Sequence, residues 1–150
     1  MTRMTAADRD APLTDDLLLE ERIGFLLRRA SIRQFWMLFL TEDDVQTDVL
    51  MPCDDLPRTP DALINTGDLG RVPMATVLAA RVAHVMSEFG FAQAVFVWER
   101  PGGAVARAEE RAWARALADA CAQQGARVRA QFLLHDRGVR LLTPDDYLGA

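Results

Sequence analysis

No lysine occurs anywhere in the chain; all 17 basic residues are arginine. That removes Schiff-base chemistry and lysine nucleophiles from consideration. Cysteine is scarce. Cys53 and Cys121 stand far apart, in neither a metal-binding nor a redox spacing, and are expected as two reduced thiols. Serine occurs only at Ser31 and Ser87, neither in a Gly-x-Ser-x-Gly elbow, which argues against a serine hydrolase. The two histidines, His84 and His135, have no third ligand at metal spacing, so no metal and no cofactor is expected. Positive charge is not in excess. A net charge of −5 gives no footprint for nucleic acid or for an anionic membrane surface. No apolar run approaches the roughly 18 residues of a membrane span. The segment from Met1 to Pro12 lacks the apolar core of a signal peptide, and a cytoplasmic place is expected.

What is present suits one soluble domain. The 150 residues are 50 % hydrophobic and 26 % charged, ordinary values for a globular fold. The charge is uneven. Residues 1–75 carry 14 acids against 8 arginines (net −6), and residues 76–150 carry 8 acids against 9 arginines (net +1). The first half therefore reads as a solvated acidic surface, and a basic patch can form only in the second.

The pattern predicts a disordered N-terminal tail over residues 1–13 and a single α/β domain over residues 14–150. Thr14 reads as an N-cap ahead of Asp15 and Asp16. Leu18, Leu19, Ile23, Leu26 and Leu27 then recur at helical spacing, predicting a helix over 15–30. The run Phe35 to Leu40 is apolar on both faces, as a doubly buried strand requires. Val45 to Met51 reads as its hairpin partner, ended by Pro52. Residues 53–70, rich in Pro, Gly and Asp, read as one long loop. Pro73 opens a second helix that Gly90 stops. Ala94 to Trp98 is a further doubly apolar strand, broken by Arg100-Pro101-Gly102-Gly103. A third helix follows over about 106–123, with Ala108, Ala112, Trp113, Ala116, Leu117 and Ala120 on its inner face. Val128 to Leu134 and Val139 to Leu142 complete the strands. The sum is a mixed β-sheet of about five strands flanked by three helices.

The second half resembles the JAB/MPN metalloprotease-like fold, and within it the bacterial RadC-type branch. A strand, a Pro/Gly break, a helix, a strand and a short hairpin occur in the family's order, and the likeness covers residues 33–147. In that family the strand ends in His-x-His-Pro-Ser-Gly. An acid eleven residues after the second His completes a zinc site. Here the segment reads Trp98-Glu99-Arg100-Pro101-Gly102-Gly103, and Arg111 holds the acid's position. Indole and guanidinium groups offer zinc no lone pair. The resemblance thus implies a member that has lost its metal site and acts as a scaffold or a partner of other chains.

The same segment lies beyond the carboxyl end of a strand, where α/β sheets commonly bind ligands. Trp98, Arg100, Gly102, Gly103, Arg107 and Arg111 are therefore the candidate ligand-binding residues, converging as an anion pocket. The competing reading is a tight turn with solvated arginines paired to Glu99, Glu109 or Glu110. His135 beside Asp136 invites an acid–base reading, against which stands ordinary turn chemistry. Asp43-Asp44, Asp54-Asp55 and Asp145-Asp146 read as solvated loop edges without calcium-loop spacing. Trp36, Trp98 and Trp113 read as core. The apolar stripe of the first helix packs either on its own domain or on another chain. Three functions follow. The leading one is a non-enzymatic binding or scaffold protein with a protein partner or a homodimer. The second is a small anionic-ligand binder or regulator. The third is a cryptic hydrolase rebuilt from Glu99, Glu110, His135 and Asp136.

Overall fold

The structure, a computed structural model, describes residues 9–147. Residues 1–8 of the expected tail lie outside the described residues. At its inner end, Leu13 is buried and donates its N–H to Asp44 O at 2.8 Å.

Helix α1 spans Asp16–Leu27. Its N-cap is Asp15 rather than Thr14: the Asp15 side chain accepts the Leu18 N–H at 2.8 Å. The helix stops at Leu27, three residues short of expectation, because Arg28 takes φ 65°. Strands β1 (Gln34–Leu40) and β2 (Gln46–Cys53) form the expected hairpin. Pro52 does not end β2. It lies inside the strand opposite Trp36, tolerated because β2 is an edge strand and the missing N–H is not needed there.

Residues 53–70 are not one loop. They lead into strand β3 (Leu63–Thr66), which pairs antiparallel with β4 (Gly70–Pro73) as a separate two-stranded flap. The flap is four residues per strand and half exposed, too short and too polar to show an alternating pattern in the sequence. Helix α2 (Met74–Phe89) follows directly, with Pro73 as its N-cap and Gly90, at φ 70°, as its left-handed C-cap.

Strand β5 (Gln93–Glu99) is buried along its whole length. Helix α3 (Ala108–Gln123) crosses over to β6 (Val128–His135), which runs parallel to β5. Strand β7 (Gly138–Leu142) and the short helix α4 (Pro144–Tyr147) close the described chain. The main sheet has the order β2-β1-β5-β6-β7 and is mixed: only β5 and β6 are parallel. This is the α/β domain with a five-stranded mixed sheet that the sequence predicts.

The sheet's alternation builds two cores. Phe35, Met37, Phe39, Phe96, Trp98 and Leu133 face α2 and α3. Leu38, Leu40, Val95, Val97, Phe132 and Leu134 face the other way, under Leu19 and Ile23 of α1. The inner face of α3 is Glu110, Trp113, Ala114, Leu117 and Cys121; Ala108 and Ala112, expected inside, are exposed. Alanines carry little burial energy, so Trp113 and Leu117 set the rotation of the helix. Leu18 of the expected α1 stripe also faces solvent.

Candidate functional site

The crevice beyond the carboxyl ends of the parallel pair β5 and β6 is where this architecture would seat a ligand. The chain fills it with its own loop, residues 100–107. Arg100 N donates to Leu134 O at 3.2 Å, which continues the β5–β6 ladder by one step. Gly102 N donates to Asp136 Oδ1 at 2.9 Å, and Asp136 N returns a bond to Gly102 O at 3.0 Å. Arg140 Nε donates to Ala104 O at 2.7 Å. Gly102 adopts φ 123°, a conformation that side chains disfavour, and a Cβ there would also meet the Arg107 guanidinium.

Arg100 lies at the centre of this loop and is buried. Its Nε donates to Glu110 Oε1 at 2.7 Å, its Nη1 to Gly103 O at 2.6 Å and its Nη2 to Val105 O at 2.7 Å. Glu110 Oε1 also accepts the Arg107 N–H at 3.4 Å, capping the start of α3. All three guanidinium nitrogens are thus used within the chain. Trp98, on the same side of β5, is core: its ring centroid lies 4.5 Å from that of Phe35 and 5.6 Å from that of Trp113. Its Nε1 donates to Gln131 Oε1 at 2.8 Å.

Of the six candidate ligand residues, the structure gathers Arg100, Gly102, Gly103 and Arg107 at one turn. Arg107 is exposed there. Trp98 is turned inward, and Arg111 lines a different recess with Asp61, Arg115 and Asp119. Beneath the turn, between Arg33, Trp98, Arg100, Glu109 and Trp113, a recess of about 30 Å³ remains. That volume admits a water molecule and excludes a nucleotide or a peptide side chain.

Glu99 points to the opposite face and is 4 % exposed. Its carboxylate accepts from Ser31 N at 2.7 Å, Ile32 N at 3.2 Å, Ser31 Oγ at 3.3 Å, Gln34 Nε2 at 2.8 Å and Trp36 Nε1 at 2.8 Å. Burial pushes its pKa up. The donors from Ser31, Trp36, Gln34 and Ile32 outweigh this and hold it below the ordinary glutamate range. Glu99 is therefore ionised at neutral pH with its roughly four lone-pair positions occupied. It has no proton to give and no free lone pair for a substrate.

A third set of bonds joins α3 to the residue before β1 and to the segment after β2. Arg33 Nε donates to Glu109 Oε1 at 2.9 Å, and Arg58 Nη1 reaches Glu109 Oε2 at 3.5 Å. Arg33 Nη1 also donates to Leu56 O at 3.0 Å, and Trp113 Nε1 to Pro57 O at 2.9 Å. Glu109 and Glu110 are adjacent, so their side chains diverge by about 100° around the helix. One takes the arginine just before β1, the other the arginine just after β5. Sequence reasoning missed the Arg33 and Ser31 contacts, because the partners lie 76 and 68 residues apart.

The acid–base candidates do not assemble. Asp136 turns to the Gly102 amide, and no bond between Asp136 and the His135 ring occurs among the described residues. His135 Nδ1 accepts the Arg137 N–H at 3.3 Å. Burial, then Arg100 and Arg140, and more weakly Arg137, hold its pKa below the ordinary histidine value, against the opposing pull of Asp136. Among the described residues, no three His, Cys, Asp or Glu side chains are grouped so as to hold a metal ion. No described helix is long and apolar enough to cross a membrane. Comparison with protein-family models, with curated proteins and with solved structures finds no match to this chain.

Proposed function

We propose that this chain is a non-enzymatic binding protein, a JAB/MPN-like domain without a metal site, that engages another protein chain through the outer face of α1. The observation that carries the reading is the double-sided apolar character of that helix. Leu19 and Ile23 are buried against the sheet, while Leu17, Leu18 and Phe25 are 65 %, 40 % and 45 % exposed. Positions 17, 18, 21 and 25 share one side of a helix, so these side chains form one patch around Glu21. Ile32, just beyond the helix, is 51 % exposed. An apolar helix face left in water marks an interaction surface more often than a lone exposed leucine does.

The strand-end crevice supports the same reading from the other side. Its loop is held by Arg100, Asp136 and Arg140, and its acids are committed to internal donors. The positions that carry zinc ligands in the family it resembles are Trp98, Arg100 and Arg111. The unpaired thiols Cys53 and Cys121 agree with a reducing, cytoplasmic setting.

The test is affinity capture and crosslinking with the full chain, wild type against a Leu18→Asp/Phe25→Asp double variant. Both positions are exposed, so the variant keeps its circular dichroism and melting temperature. A partner, or a second copy of the chain, is captured by the wild type and lost from the variant. An identical set of captured proteins for both would sink the assignment to α1.

A further inference from the structure

A second surface lies on the α2 side of the sheet, on the face opposite α1. The β3–β4 flap is not hydrogen-bonded to the main sheet. It is tied down at its base, where Met74 N donates to Ala62 O at 2.8 Å and Ala75 N to Pro60 O at 3.1 Å. Its tip is closed on itself: Thr66 Oγ1 donates to Gly70 O and accepts the Leu69 N–H. Between this flap, β1–β2 and one side of α2 lies a cleft of about 740 Å³. That is within the range of roughly 300–1,000 Å³ typical of ligand sites.

The chemistry of the lining is specific. The floor is Met37, Met51, Val77 and Val85, and the flap adds Ile64 and Leu69. Two unbranched thioether side chains give an apolar floor that adapts to the shape of its occupant. Arg81 and His84 stand on the α2 side of the cleft, one turn apart and therefore neighbours. Both are exposed, and among the described residues neither makes an ion pair or a side-chain hydrogen bond. Asp68, at the flap tip, is the one acid lining the cleft.

We propose that this cleft binds a small amphipathic carboxylate, an apolar chain ending in one anionic group. The chain lies on Met37, Met51, Val77 and Val85 under the flap. The carboxylate is taken by the guanidinium of Arg81, with His84 as a second hydrogen-bonding partner. A guanidinium is the side chain suited to that head group, since it offers paired N–H donors in the geometry of two carboxylate oxygens. Asp68 opposes the same charge, so the two rim residues act on affinity with opposite sign.

The experiment is a titration of the full chain, methyl-labelled at methionine, with dodecanoate, followed by NMR. Dodecanol serves as the uncharged control. Dodecanoate moves the Met37 and Met51 methyl resonances saturably below about 1 mM. It binds roughly fivefold more tightly than dodecanol. Arg81→Gln removes that preference, and Asp68→Asn strengthens binding of the carboxylate. Both substitutions are at exposed positions and leave the fold intact. The proposal is overturned if Met37 and Met51 do not respond, if dodecanoate perturbs only the α1 surface, or if Arg81→Gln binds dodecanoate as the wild type does.

Discussion

Arg100 Nε and Glu110 Oε1 meet at 2.7 Å, with the two side chains only 7 % and 6 % exposed. The pair joins the end of β5 to the first turn of α3, and the remaining nitrogens of Arg100 hold the intervening loop by its carbonyls. Arg100→Ala leaves a buried carboxylate without its counter-charge, a loss of about 3–5 kcal/mol. Replacing both partners, Arg100→Met with Glu110→Leu, costs less than the two single changes together, because no lone charge remains. Urea denaturation of the four proteins checks this. A loss below about 1 kcal/mol for Arg100→Ala would mean that solvent replaces the pair.

Glu99 predicts a pH dependence. Its folded-state pKa lies below the unfolded value, because the donors around it favour the charged form. Its contribution is complete above the unfolded value, roughly pH 4.3. It is lost as pH falls through the folded value. Glu99→Gln therefore destabilises by about 1–3 kcal/mol at neutral pH, where an amide cannot satisfy all five donors. The gap to wild type narrows on acidification. Parallel denaturation at pH 7 and near pH 3.5 measures it, and a gap independent of pH would rule out the ionised, donor-bound carboxylate.

Cys121 is fully buried on α3, and burial pushes its thiol pKa up to about 12. A thiol held neutral and out of solvent does not react. Iodoacetamide is expected to leave Cys121 unmodified in the native protein and to label it at once in urea. Mass spectrometry of the tryptic peptides decides it, and native labelling of Cys121 would mean that α3 opens from the sheet.

The doubly apolar runs Phe35 to Leu40 and Ala94 to Trp98 made the central strands legible, because they are short, rich in aromatic and β-branched residues, and apolar on both faces as a doubly buried strand requires. The helix stop at Gly90 was legible for a local reason: it takes φ 70°, which glycine adopts without a Cβ penalty. The rotation of α3 was not. Its alanines fit either face, and the choice fell to Trp113 and Leu117 packing against a sheet distant in sequence. The flap was hidden inside a Pro- and Gly-rich stretch, since its strands are too short to show a period.

The candidate site divides in the same way. Local sequence determined that a tight turn follows Glu99, that arginines crowd it, and that no metal-ligand spacing is present. Only the tertiary structure decided what those arginines do. Burial of Arg100 demands a counter-charge, and the nearest supplied by the fold is Glu110, ten residues on and one element away. Burial of Glu99 demands donors, and they come from Ser31, Ile32, Gln34 and Trp36, more than sixty residues earlier. Composition sets which charges a chain owns. Desolvation in the packed interior sets which of them must be paired, and so which are left on the surface to bind something else.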